Sequence, residues 1–315
     1  MNKMKHYFCI TVGLALSLSA CIKEDISECL NEIRVIFSYD EAGVIGTFPA
    51  NELHSAILYV FDLDNRLVDF CEINNPQLNV VQDVRFKLDP GQYSFVVWFN
   101  PRPPYAVFPS TGNLFVGTTL KSEGQFSLTI PSIREIAPET TLPPLLYGQK
   151  DETIIDADEN RVVIPVIENT NRININVKGL PATTDTYRFA IRDNNGAYTF
   201  DNDFMEGFPA FAYIANTTYS PTGTLSASLT VLKLAESRSP ELTLVNWDTD
   251  EELFPGSPNV TNNLVEIIRA VYPGNDFSKR HVYDIDIEFR EGGMEVWINV
   301  WEPGSSNVIL TPWWF

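Results

Sequence analysis

Histidine is almost missing from this chain of 315 residues: there are three, and one of them, His6, stands in a removable leader. That leaves His54 and His281, so the chain offers no histidine-rich metal site, and a lone histidine beside an apolar run, as His54 is beside Ile57, reads as structural. Neither His-Glu-x-x-His, Cys-x-x-Cys, Gly-x-Ser-x-Gly nor Gly-x-Gly-x-x-Gly occurs, which removes the commonest zinc, redox, hydrolase and dinucleotide signatures. Helical periodicity is scarce, and many of the 21 prolines fall between strand-like runs, where they would break helices. Basic residues number 22 against 41 acids, and the charge of −19 repels polyanions, so nucleic acid is excluded as a partner.

The longest apolar run, Tyr7 to Ala20, is too short to span a bilayer. It follows Lys3 and Lys5 and ends in Leu18-Ser19-Ala20-Cys21, the pattern of a bacterial lipoprotein signal. Residues 1–20 are therefore expected to be removed and Cys21 to carry the lipid, with two or more acyl chains holding the protein stably on a membrane. Loss of Lys3 and Lys5 takes the mature charge to −21.

Four cysteines are present. Cys9 leaves with the signal and Cys21 is acylated, so Cys29 and Cys71 remain in an oxidising compartment and are expected to form a disulfide, with two separate buried thiols as the alternative. Closing that loop is worth about 4 kcal/mol on the chain-entropy model.

After a polar tether, 21–32, strand patterns follow one another. Ile33, Val35, Phe37 and Tyr39 alternate with Arg34 and Ser38, and similar alternations recur at Ile57-Tyr59-Phe61, Phe86-Leu88, Phe95-Val97-Phe99, Phe126-Leu128-Ile130 and Val162-Ile164-Val166. The second half repeats them at Ile173-Ile175-Val177, Tyr187-Phe189-Ile191, Leu225 to Val231, Leu242-Leu244, Tyr283 to Phe289 and Met294 to Val300. Asn195-Gly196 reads as a type I′ hairpin turn. Asn262 to Val271 fits a helix or a strand. Many short strands without intervening helices predict an all-β chain of two antiparallel β-sandwich domains, 33–168 and 169–315.

Carboxylate catalysis would need two acids facing each other across a cleft. Asp62 and Asp64 fall in a turn, Asp284, Asp286 and Glu288 read as the solvated face of one strand, and the spacing of Asp201 and Asp203 says little. Asp248, Asp250 and Glu251 read as an acidic loop, with calcium as the alternative. No catalytic residue, cofactor or metal is assigned, and the protein is expected not to be an enzyme. Trp297 and Trp301 stand opposite Val296, Ile298 and Val300, so their strand is apolar on both faces, and Trp313-Trp314-Phe315 ends the chain in a second aromatic cluster. These four tryptophans are the candidate partner-binding residues, with burial in the core as the alternative.

Several segments carry a resemblance. Cys21-Ile22-Lys23-Glu24-Asp25-Ile26-Ser27-Glu28-Cys29, Phe37-Ser38-Tyr39-Asp40, Val60-Phe61-Asp62, Arg66-Leu67-Val68, Leu88-Asp89-Pro90-Gly91-Gln92-Tyr93, Val96-Val97-Trp98-Phe99-Asn100, Leu146-Tyr147-Gly148 and Ile175-Asn176-Val177-Lys178-Gly179-Leu180 look like the fimbrillin-associated anchor family of type V pili. The likeness is dense to about residue 180. It implies two transthyretin-like domains and a role as the lipid-anchored base that fixes a fimbrium to the outer membrane, or as an accessory subunit of it, with fimbrial shaft subunits as partners. Lys23-Glu24-Asp25 resembles a surface-export tag, so the folded part is expected outside the cell. Shaft subunits of this class lose their first strand to an arginine-specific protease, but no Arg or Lys occurs from Val35 to Asn65. The first strand is therefore expected to stay in place and the polymer to end here. The alternative function is a surface glycan-binding lipoprotein that stacks sugars on Trp98, Trp247, Trp297 or Trp301.

Overall fold

The computed structural model describes residues 32–40, 50–82, 84, 86, 88–108, 114–157, 159–180, 185–220, 223–256, 260–290, 293–299 and 308–310. The signal sequence, Cys21 and Cys29 lie outside them, as do Trp301, Trp313 and Trp314. In the first half the strands are β1 (Glu32–Ser38), β2 (Ser55–Phe61), β3 (Leu67–Asn74), β4 (Val81–Gln82), β5 (Gly91–Phe99), β6 (Tyr105–Phe108), β7 (Gln125–Leu128), β8 (Glu135–Ile136), β9 (Leu146–Ile154) and β10 (Glu159–Glu168). The second half holds β11 (Thr170–Lys178), β12 (Tyr187–Asp193), β13 (Ala197–Thr199), β14 (Phe211–Asn216), β15 (Thr218–Tyr219), β16 (Leu225–Leu232), β17 (Glu241–Asn246), β18 (Glu251–Phe254), helix α1 (Leu264–Val271), β19 (Val282–Arg290), β20 (Gly293–Asn299) and β21 (Val308–Leu310).

A seven-stranded sheet, in the order β3-β2-β5-β9-β10-β1-β4, organises the first half. It is apolar on both faces, which is why every residue of β2 is buried. Ala56, Leu58 and Val60 face a core made with Ile33, Val35, Phe37, Phe95, Val97 and Phe99, and the segment after β4 closes that core with Val84, Phe86 and Leu88. Ile57, Tyr59, Phe61, Val96 and Trp98 face the other way, onto a three-stranded sheet ordered β13-β7-β6. Phe86 and Leu88 thus point inward as their alternation predicts, but neither belongs to a strand.

In the second half the five-stranded sheet β18-β17-β12-β14-β8 and the six-stranded sheet β15-β16-β11-β19-β20-β21 share one core. The pairing is mainly antiparallel, with parallel ladders between β1 and β10, β11 and β19, and β14 and β8. The stretch from Asn262 to Val271 resolves as helix. Asn263 caps it by accepting the Val265 amide at 3.0 Å, and Leu264, Val265, Ile267, Ile268 and Val271 bury one face, so capping and 3.6-residue periodicity outweigh the β-branched content.

The halves interlock. β13, from the second half, pairs with β7, and β8, from the first half, pairs with β14. This overturns the hairpin expected at Asn195-Gly196: the strands on either side of it enter different sheets, and neither residue has positive φ. Glycine is needed at 196 for another reason, since a Cβ there would lie 2.2 Å from the Phe208 ring. Asn195 is fully buried; its amide donates to the carbonyls of Leu232 and Lys233, and its oxygen accepts from the Tyr213 hydroxyl at 2.8 Å.

Candidate functional site

The first strand is the feature on which an anchoring role turns. β1 runs parallel to β10 over seven register pairs, from Glu32 opposite Glu159 to Ser38 opposite Pro165, and on its other side Val35 and Ile36 pair with Gln82 and Val81. Ile33, Val35 and Phe37 are fully buried, and the Phe37 ring meets Phe99 edge-on with centroids 5.0 Å apart. At the start of the strand Arg34 is within 3.4 Å of Glu159, with both side chains about half exposed, a pair that contributes little. At its end Asn79 closes on Tyr39 with two hydrogen bonds, of 2.9 and 3.0 Å. β1 is an inner strand of its sheet, held on both sides.

Around the junction of the halves, side chains far apart in sequence meet. Asn169 and Asn202 exchange amide hydrogen bonds, of 2.7 and 3.3 Å. The buried Lys121 ammonium reaches Asp201 at 2.5 Å, and the Tyr147 hydroxyl donates to the Phe200 carbonyl at 3.0 Å. Arg238 forms an ion pair with the buried Asp193 while its guanidinium lies over the Phe204 ring, 4.7 Å from the centroid. Asp201 is therefore a structural partner of Lys121. No signal in the sequence links these positions, because each pair spans 33 residues or more.

Glu168, the last residue of β10, accepts from the Thr170 hydroxyl at 2.7 Å. Burial pushes its carboxyl up to about 7, partly offset by the Thr170 hydrogen bond and the nearby Arg172 charge, while Glu52 adds to the rise. The folded protein thus binds a proton here that the unfolded chain has already lost. Its contribution to stability is complete below about pH 4.5, declines as pH rises toward 7 and is absent above, with a ceiling of about 3 kcal/mol. His281 works in the opposite sense: burial holds it down to about 4, so acid destabilises the fold through it below its unfolded pKa of 6.5. Glu168→Gln should therefore match the parent near pH 4.5 and exceed it in urea midpoint by a margin that grows to pH 7. A constant offset across that range would refute the assignment.

Asp62 is a turn residue, its carboxylate accepting the amides of Asp64 and Arg66 at 2.9 and 2.8 Å. Asp284 and Asp286 are more ordered than a solvated face, because Asn174 and Asn176 donate to them at 2.8 and 2.9 Å and in turn accept from Ser228 and Ser226, making two polar rows across three strands. Asp248 receives the Thr186 amide. Among the described residues no three His, Cys, Asp or Glu side chains converge on a point that could hold a metal ion.

Trp98 is fully buried, stacked on Phe126 at 4.8 Å, so it cannot meet a sugar. Trp247 is half exposed, but Arg188 sits over its ring at 3.8 Å. Cys71 lies half-buried on β3. Trp297 stands in β20, opposite Glu288 on one side and Ile309 on the other.

Several solved structures share this fold. A candidate polysaccharide-binding protein of Bacteroides thetaiotaomicron matches with a TM-score of 0.68 at 18% identity, over 86% of this chain and 96% of its own. The fimbrial anchor protein Mfa2 from Porphyromonas gingivalis matches with a TM-score of 0.68 at 21% identity, over 86% and 98%. A candidate adhesin of B. thetaiotaomicron gives a TM-score of 0.68 at 18% identity, over 90% and 99%. At these identities the likeness establishes the β-sandwich fold alone. Among curated protein sequences none matches. The sequence profile of the fimbrillin-A associated anchor proteins Mfa1 and Mfa2, however, matches residues 26–307, nearly the whole chain, and this protein belongs to that family.

Proposed function

We propose that this protein is the outer-membrane foothold of a type V fimbrium: acylated at Cys21, displayed outside the cell, and ending the polymer at its membrane side. The observation that carries the reading is the closed slot of β1. Polymerisation by strand exchange requires an empty groove, and here the groove is filled by the chain's own first strand, with Ile33, Val35 and Phe37 buried in it. From Val35 to Asn65 no basic residue offers a tryptic-type cut behind that strand, and a cut there would separate the body from its lipid. The acidic surface suits spacing from an anionic cell envelope.

The body divides, on this reading, into domains 33–168 and 169–315. Contact with the shaft subunit is assigned to Trp297, Trp301, Trp313 and Trp314. Trp297 supports this by its place in β20, beside the edge strand β21, because strand edges and aromatic patches are what β-proteins offer to partners.

Digestion of the mature protein with an arginine-specific protease tests the closed slot. β1 should remain with the folded body; its loss, with the remainder still folded and able to capture shaft subunits, would overturn the reading. Mass spectrometry should find acyl chains on Cys21, and deletion of the gene should release long fimbriae into the medium. Normal, cell-bound filaments in the deletion strain would count against an anchor.

A further inference from the structure

Where β10 passes into β11, the chain borders a cleft of about 390 Å³, within the roughly 300 to 1,000 Å³ of ligand pockets. Its other walls are the segment leaving β16 and the loop between α1 and β19. Ile167, Leu234 and Phe277 make it mainly apolar, yet two hydrogen-bonding groups in those walls are incompletely partnered. One is the Glu168 carboxyl, which accepts from the Thr170 hydroxyl and forms no ion pair among the described residues. The other is the side-chain oxygen of Asn275. Tyr283 donates its hydroxyl hydrogen to the Arg280 carbonyl at 2.6 Å, so its oxygen can only accept from the Asn275 amide, at 3.3 Å. That fixes the amide orientation and leaves Asn275 Oδ1 buried without a donor, a costly state for a polar atom. The lysine in the wall, Lys233, is engaged elsewhere, its ammonium donating to the Asn202 carbonyl at 2.9 Å. Glu236 and Asp276, both exposed, add negative charge.

Three acids against one engaged lysine disfavour an anion, and a purely apolar molecule would leave the Asn275 oxygen without a donor. A primary ammonium answers both groups, because it brings three N–H donors and a positive charge, while a hydrocarbon stem suits the apolar walls. We propose that this cleft binds a primary ammonium carried on a hydrocarbon chain, either a free alkylamine or the side chain of a lysine on a partner, with its donors on Glu168 and Asn275 Oδ1. The site is separate from the closed slot of β1 and does not depend on it. Burial pushes the Glu168 carboxyl up to about 7, so below neutral pH it holds a proton that the incoming cation displaces to solvent. Thr170 and Arg172 on β11 favour its ionised form and Glu52, ahead of β2, opposes it. Tyr105 on β6 stays neutral, because burial and the Glu168 charge both raise its hydroxyl. Of the charged groups across the cleft, Asp276 is held ionised by hydrogen bonds from Ser278, and burial lowers Lys233.

Calorimetric titration of the mature protein with n-pentylamine, at about 0.15 M salt to screen the distant acids, tests the site. The amine keeps its charge throughout while Glu168 ionises, so affinity should follow the ionised fraction and rise about thirtyfold from pH 5.5 to pH 8. Glu168→Gln, which keeps an oxygen for Thr170, should abolish that rise and bind at pH 8 no better than the parent does at pH 5.5. Asn275→Ala should weaken binding about tenfold at either pH and leave the rise in place. 1-Pentanol fills the apolar walls without charge and should show no rise. No binding of pentylamine, an unchanged pH profile in Glu168→Gln, or equal affinities for pentanol and pentylamine at pH 8 would each overturn the proposal. Nα-acetyl-lysine methylamide separates the two sources. Affinity within about tenfold of pentylamine assigns the site to a partner's lysine, and binding of pentylamine alone assigns it to a free amine.

Discussion

Trp98→Ala should cost this protein about 3 to 5 kcal/mol, a large part of the roughly 5 to 15 kcal/mol that holds a typical domain together. Among the described residues Trp98 is the largest fully buried side chain. It stands on β5 of the seven-stranded sheet, stacked on Phe126 of β7 with centroids 4.8 Å apart and planes at 16°, against Tyr147 of β9 at 4.8 Å, and with Tyr198 of β13 at 6.2 Å. The cavity left by truncation would open where the first half receives β13 from the second, so the loss should loosen both halves together. Collapse is resisted because Tyr147 is tied to the Phe200 carbonyl. Trp98→Phe should cost much less: it keeps a ring against Phe126, and the indole N–H has no acceptor among the described residues to lose. Urea denaturation followed by far-UV circular dichroism measures both. A loss below 1 kcal/mol for the alanine variant would mean that the three-stranded layer packs without this ring.

Much of this was legible beforehand, and the failures have physical causes. β10, β11 and β16 follow directly from period-two alternation, since a sheet face against a core imposes that period on the sequence. Asn195-Gly196 misled because its dipeptide signal is local, whereas the strands beside it are claimed by separate sheets. Trp98 as a sugar platform misread a run, Val96 to Phe99, whose uninterrupted apolar character marks a strand buried on both faces. Glu168 could not have been singled out among 41 acids, because its high pKa arises from where the end of β10 lies in the fold. The same holds for Lys121 and Asp201, 80 residues apart. The family likeness, by contrast, was visible in motifs that now have structural roles. Asn100 accepts the His54 amide at 2.9 Å and donates to the carbonyls of Pro144 and Glu52, which pins three loops at one buried point.

Gly179→Ala should prevent stable folding. Gly179 follows β11 with φ of +84°, a conformation that costs an L-residue about 1 to 2 kcal/mol. That strain alone would be tolerated. A Cβ at this position, however, would lie 1.8 Å from the Phe289 carbonyl oxygen and 2.8 Å from its carbon, and these are backbone atoms of β19 that no side-chain rotation can move away. β11 and β19 pair in parallel from Arg172 opposite Val282 to Lys178 opposite Glu288, so relieving the contact means prising apart the end of the central ladder of the six-stranded sheet. Lost ladder bonds and uncovered core at Val177 and Ile287 would then add to the strain, and the expected total exceeds about 4 kcal/mol. Gly207 separates the two effects. Its φ is +76°, but nothing lies within 4 Å of a Cβ there, so Gly207→Ala should lose only the conformational part, about 1 to 2 kcal/mol. Comparing the two variants by thermal unfolding tests the argument, and similar midpoints for both would show that β19 yields at Phe289 at little cost.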